Sequence, residues 1–217
     1  MHIKGIIFDL DGTLLDSSHV WSAAGPNYIK MKGLEPVADF QEKVYGKSLL
    51  QAAEYLKSYY KLSDSLQMIM DDINTIVEAE YLYNIKEKEG VRELLGELSK
   101  RNIPVCVATL TDKYLVEAVF KRLGILHYFK DIITATEVGS GKDRPDIYYK
   151  AAECLGTKAE ETLVAEDMVY TAETAKKGGF IVAAVYDKEA ENVQDRLKSM
   201  ADIYVRSWKE FDYNLVG

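Results

Sequence analysis

Short apolar runs that alternate with helical patterns constrain this chain more than any other feature. They are GIIF at 5–8, IPVCVATL at 103–110, DIITA at 131–135, TLVAED at 162–167 and FIVAAVYD at 180–187. The runs are near-continuous in apolar character, the pattern of strands covered on both faces. Between them, VRELLGEL places Val91, Leu94, Leu95 and Leu98 on one helical face. DKYLVEAVFKRLG does the same with Leu115, Val116, Val119, Phe120 and Leu123, followed by a capping Gly124. PDIYYKAAECLG opens on Pro145 and closes on Gly156, the usual helix asymmetry. The alternation predicts an α/β fold built on a doubly wound, Rossmann-like parallel sheet. A last run, DIYV, predicts one more short strand before a loose C-terminal end.

One region breaks the rhythm. Residues 16–87 hold no convincing apolar strand but three helical stretches, HVWSAAGPNYIKMKG, SLLQAAEYLKSYY and SDSLQMIMDDINTIVEAEYLYNI. In the last, Ile69, Ile73, Ile76, Val77 and Tyr81 fall at helical spacing. A helical cap is therefore expected at 16–87, inserted into a catalytic core made of 1–15 and 88–217. A chain of 217 residues has room for one sizeable core and a small inserted domain. A formal net charge of −8 brings no counterion-release gain on nucleic acid, so nucleic acid is not expected as a partner. An anionic ligand would need local help from a cation or from helix termini. Cys106 and Cys154 show neither metal-ligand spacing nor a disulfide pattern and read as structural thiols. MHIKGIIFD lacks the apolar stretch of a signal peptide, and no window approaches a membrane span. The expected setting is cytoplasmic, without a membrane partner, and the chain is expected to be a monomer.

In an open parallel sheet, ligands sit beyond the carboxyl ends of the strands, where the strand order reverses. The residues at those ends are polar here. The first strand runs into Asp9 and Asp11, the second ends at Thr109, and the fourth ends at Glu166 and Asp167. Lys142 lies in the loop GSGKDRPD before a helix. Asp9 and Asp11 share one side of the strand if the backbone stays extended, and Gly12 permits the turn that follows. A single terminal acid reads as a helix cap or a solvated loop. Four acids on one rim repel each other and require a cation. All-oxygen ligands suit magnesium, which takes few carboxylates and leaves room for a substrate phosphate. Lys142 supplies a second positive group.

These residues resemble the signature motifs of the haloacid dehalogenase (HAD) superfamily, in order. DLDGT matches the first, Thr109 in VCVATLTD the second, Lys142 in GKDRPDIYYKAAECLG the third, and VAEDMVYTAETAKKGGF the fourth. The likeness covers essentially the whole chain, including a helical cap after the first motif, and points to the phosphatase and β-phosphoglucomutase-like members. It implies that Asp9 is a nucleophile forming an aspartyl-phosphate and that Asp11 is the general acid and base. It further implies that Thr109 and Lys142 hold phosphoryl oxygens, with the Leu110 main chain and Gly12 beside them. The implied magnesium ligands are Asp9, the Asp11 carbonyl and Asp167, with Glu166 either a ligand or its support. Thr13 would brace the loop.

Some positions depart from the pattern. Leu110, Asp143, Met168 and Thr171 stand where relatives often carry Asn, Pro, Ser and Gly. None removes a core catalytic group. Dehalogenases of the superfamily lack the second acid of the first motif, so Asp11 argues for phosphate esters over carbon–halogen bonds. A β-phosphoglucomutase-like mutase keeps that acid but carries an early cap histidine and an arginine. Here Trp21 stands near the histidine position and Leu49 at the arginine position. The expectation is a magnesium-dependent phosphatase of small phosphorylated metabolites such as sugar phosphates. The alternatives are a phosphosugar mutase or a non-catalytic metabolite-binding protein. Trp21, Tyr45, Lys47 and Ser48 are the cap residues placed nearest the substrate, and the other cap tyrosines, Tyr81 among them, read as packing.

Overall fold

The computed structural model describes residues 2–44 and 47–217. Six parallel strands form one sheet in the order β3-β2-β1-β4-β5-β6. They are β1 (Gly5–Phe8), β2 (Val105–Thr109), β3 (Phe129–Thr134), β4 (Thr162–Glu166), β5 (Ile181–Val185) and β6 (Ile203–Val205). The order reverses at β1, whose neighbours are β2 and β4. This is the crevice where such sheets bind ligands.

Successive strand residues face opposite layers. Ile6, Phe8, Val107, Leu163 and Ala165 join a cluster with residues of α5 (Val91–Lys100) and α6 (Lys113–Leu123). Ile7, Cys106, Ala108, Val164 and Val182 join another with α8 (Asp146–Leu155), α9 (Val169–Lys177) and α10 (Gln194–Met200). A four-residue turn of helix, α7 (Ala135–Val138), follows β3 and precedes the Lys142 loop. The two-layer burial explains why the strands read as unbroken apolar runs.

The helical insertion lies between β1 and α5. It contains α1 (Ser18–Met31), α2 (Phe40–Val44), α3 (Leu49–Tyr60), α4 (Leu66–Ala79) and a π-helical turn at Glu80–Asn84. Ile69, Ile73 and Val77 of α4 are buried at four-residue spacing, one face of a helix turned inward. Where the chain leaves and re-enters the sheet region, the two crossings lie side by side. The Asp16 N–H donates to the Lys86 carbonyl at 3.0 Å, and the Lys88 N–H to that of Leu14 at 2.8 Å.

The C-terminal end is not loose. Trp208 and Phe211 are buried, and the Trp208 indole N–H donates to the Thr13 carbonyl at 2.9 Å. The Ile3 N–H donates to the Leu215 carbonyl at 3.0 Å, so the tail folds back beside the first strand. Isolated apolar anchors in 3₁₀ turns have no strand or helix period, which is why the pattern underestimated them.

Candidate active site

The strand ends flanking the order reversal deliver the acids. The Asp9 N–H donates to the Ala165 carbonyl at 2.9 Å, which fixes the residue against β4 as it leaves β1. Glu166 closes β4, and Asp167 follows it. Oxygens of Asp9, Glu166 and Asp167 lie within 4.8 Å of one another, and all three residues are buried. Lys142, only 2% exposed, donates to Asp9 Oδ1 and, at 2.8 Å, to Glu166 Oε1.

Burial dominates the electrostatics here. It pushes the Asp9 carboxyl up to about 7, while Lys142 pulls it down and Glu166 adds to the rise. Asp167 is raised well above the carboxylate range by burial, then by the charges of Asp9 and Glu166. Burial opposes the Lys142 ammonium, but Asp9 and Glu166 outweigh it and keep the lysine charged. If all three ionised, the carboxylates against one ammonium would leave two negative charges with little water to screen them. Such a deficit is costly unless a cation meets it.

The residues present fit a magnesium ion. Asp167 Oδ1 is buried and accepts no hydrogen bond among the described residues. Gly12, at φ +80°, keeps the adjoining space open, since a Cβ there would collide with the Asp167 carboxylate and Ser18 Oγ. All available donors are oxygens, as magnesium prefers. Glu166 differs from its neighbours. Oε1 accepts from Lys142 and, at 2.7 Å, from the Tyr148 hydroxyl. Oε2 lies 2.8 Å from the Thr171 hydroxyl. Both oxygens thus serve Lys142 and two hydroxyls.

Asp11 stands in different surroundings. The chain bends at Leu10 rather than staying extended, and the Leu14 and Leu15 N–H groups both donate to the Leu10 carbonyl. The Asp11 side chain is outside the set of three acids. Its Oδ1 accepts from Ser17 Oγ at 2.5 Å and from the Tyr81 hydroxyl, and its Oδ2 accepts from Thr111 Oγ1 at 2.6 Å. Burial raises the Asp11 carboxyl, with the Asp9 charge adding to it and the three hydroxyls opposing. Burial, then the Asp11 charge, hold the Tyr81 hydroxyl well above the ordinary phenol range, so it remains a donor.

Thr109 Oγ1 accepts from the Thr111 N–H at 3.0 Å and makes no other hydrogen bond among the described residues, leaving its proton for a ligand. Leu110 is half-buried beside it. The Gly12 N–H donates to the Leu15 carbonyl at 2.9 Å, so Gly12 contributes space rather than a donor. Thr13 contributes to the loop through its carbonyl, and its hydroxyl has no partner among the described residues.

The cap candidates divide. The Trp21 indole N–H donates to the Tyr81 hydroxyl at 2.6 Å, one step from Asp11. Ser48 caps α3, its hydroxyl accepting from the Gln51 N–H at 3.2 Å. Lys47 is exposed, and Tyr45 lies outside the described residues. Ser17, Thr111, Tyr81, Tyr148 and Lys88 were not anticipated. Lys88 Nζ donates to the Gly12 and Tyr186 carbonyls, each at 2.7 Å, and to Asp187 Oδ2 at 2.8 Å, pinning the first-motif turn. Ser17 and Thr111 carry a weak local signal, hydroxyls placed close after motif residues. Tyr81 carries none, being 70 residues from Asp11.

The chain belongs to the haloacid dehalogenase-like hydrolases, whose family model matches residues 6–185. Among curated relatives it is 26% identical over 177 residues to a phosphorylated carbohydrates phosphatase of Thermotoga maritima, covering 82% of each chain. It is 30% identical over 169 residues to hexitol phosphatase A of Escherichia coli, covering 77% of this chain and 76% of that one. Its fold is similar to the crystal structure of a β-phosphoglucomutase from Clostridium difficile, with a TM-score of 0.80 and 19% identity, covering 98% and 94% of the two chains.

Proposed function

We propose that the chain is a magnesium-dependent phosphatase of small phosphorylated metabolites, phosphate monoesters such as sugar phosphates, acting through an aspartyl-phosphate on Asp9. The observation that carries this reading is the buried Asp9–Lys142 pair beside two further buried acids, Glu166 and Asp167. A carboxylate approaches a phosphate dianion only when positive charge cancels the repulsion. The phosphorylated carbohydrates phosphatase and hexitol phosphatase A among its relatives support the substrate class. We place the core at 1–15 and 88–217, the substrate-selecting cap at 16–87, and the protein in the cytoplasm.

Asp9, Asp167 and the Asp11 carbonyl would hold the magnesium, which when bound neutralises phosphate and carboxylate charge. The rest of the chemistry belongs to the chain. A carboxylate oxygen of Asp9 attacks phosphorus, the bond to the ester oxygen breaks, and Asp11 gives its proton to the departing alkoxide. Asp11 then takes a proton from water as that water attacks phosphorus. The acyl-phosphate bond breaks, which restores Asp9 and releases inorganic phosphate. Lys142 and the Thr109 hydroxyl hold the phosphoryl oxygens. Glu166, Tyr148 and Thr171 fix Lys142.

Hydrolysis rather than phosphosugar mutation is supported by the cap positions that would anchor a second phosphate. Leu49 packs on the apolar core, and Trp21 faces Tyr81. Neither offers a cation. The test is a panel of phosphate esters with magnesium, scored by phosphate release. Wild type should release phosphate and Asp9→Asn should not. Full activity in that variant, or interconversion of sugar phosphates without release, would overturn the reading.

A further inference from the structure

The Asp11 carboxylate is held by donors from three separate segments. Ser17 lies where the chain enters the insertion, Thr111 follows β2, and Tyr81 sits where the insertion returns. Tyr81 is fully buried, and its backbone is itself fastened. It occupies the π-helical turn Glu80–Asn84, in which carbonyls depart from the α-helical ladder. The Arg122 guanidinium, reaching from α6, donates to the Tyr81 carbonyl at 3.2 Å and to the Ile85 carbonyl. So the Tyr81 main chain is tied to the core while its hydroxyl reaches Asp11. That hydroxyl also accepts from Trp21 Nε1 on α1, at 2.6 Å. The chain Trp21–Tyr81–Asp11 spans both crossings between sheet and insertion.

A carboxylate that turns about two side-chain bonds loses its aim easily, and a proton transfer requires a defined line between donor and acceptor. We propose that Tyr81 is a positioning residue that aims the Asp11 carboxylate, and that the Trp21 indole couples this aim to the placement of the insertion. The inference rests on the phosphatase reading above. It assigns to the return crossing a role in catalysis rather than in packing alone.

The test separates aim from fold through the leaving group. An alkyl phosphate needs its departing oxygen protonated, whereas p-nitrophenyl phosphate does not. In a single turnover with magnesium, Tyr81→Phe should release alcohol from glycerol phosphate roughly 10-fold more slowly. Release of p-nitrophenolate should stay within about twofold of wild type. Trp21→Phe, which keeps an aromatic ring and loses the N–H, should shift the same ratio by about two- to threefold. It carries the test if Tyr81→Phe does not fold. Equal slowing of both esters, or an unchanged ratio in both variants, would overturn the proposal. A wild type that hydrolyses neither ester would overturn the phosphatase reading itself, and this inference with it.

Discussion

Asp9 and Asp11 are two residues apart and occupy opposite kinds of environment. Asp9 sits among charges from the end of β4 and from the loop before α8: Glu166, Asp167 and Lys142. Asp11 sits among hydroxyls, two of which come from the crossings into and out of the insertion. Burial raises both carboxyls, but only Asp9 has a cation in contact. In the proposed mechanism the difference separates two tasks. A nucleophile must stay ionised beside an anion, so it needs fixed positive charge. A proton carrier must change state twice per cycle, so neutral donors that tolerate either state suit it.

If the comparison holds, breaking the charged side has the largest effect. Asp9→Asn should lower kcat by roughly 10⁴-fold or more with little change in thermal midpoint, measured by phosphate release and calorimetry. Lys142→Met leaves Asp9 and Glu166 buried without their cation. It should cost about 3 kcal/mol of stability at neutral pH in a denaturant titration, and most of the activity. A stable, active Lys142→Met protein would break the assignment of that side.

Removing magnesium sharpens the same contrast. Asp9, Asp11 and Asp167 all have folded values above those of the unfolded chain. The folded state therefore holds protons that the unfolded state has released. The Asp9 contribution is fully present below the ordinary carboxylate value of 3.8 and is lost as pH rises through about 7, and those of Asp11 and Asp167 fall with rising pH in the same direction. Metal-free protein should melt several degrees lower near pH 8 than near pH 5. If the proposed site holds it, added magnesium should narrow or reverse that gap, because the ligands would be ionised carboxylates. The smallest effect belongs to the hydroxyl side. Ser17→Ala removes one of three donors to Asp11 and should lower kcat by only about three- to tenfold, with KM nearly unchanged in steady-state assays.

The legible part of this molecule is the part encoded locally. Each strand was visible because both its faces are buried, and the acids were visible because they interrupt apolar runs at the ends where ligands bind. What was hidden depends on distant contacts. Tyr81 looked like one more apolar position of a helix, since its ring is buried, and nothing nearby marks its hydroxyl as bound for Asp11. Thr171 read as a departure from the pattern, yet its hydroxyl contacts Glu166. Ser48, named as a cap residue near the substrate, closes a capping box with Gln51. The bend at Leu10, set by the Leu14 and Leu15 N–H groups, sends Asp9 and Asp11 into separate surroundings, since the extended backbone on which a shared side depends ends there.

The most direct test is where the phosphoryl group resides during turnover. Wild-type protein with magnesium can be mixed with p-nitrophenyl phosphate carrying radiolabelled phosphate, quenched in acid within one turnover, and digested. Label is expected on the peptide containing Asp9, released by hydroxylamine as an acyl phosphate is, and none is expected in Asp9→Asn. Label on another residue, or rapid phosphate release with no labelled protein at any time point, would contradict that expectation.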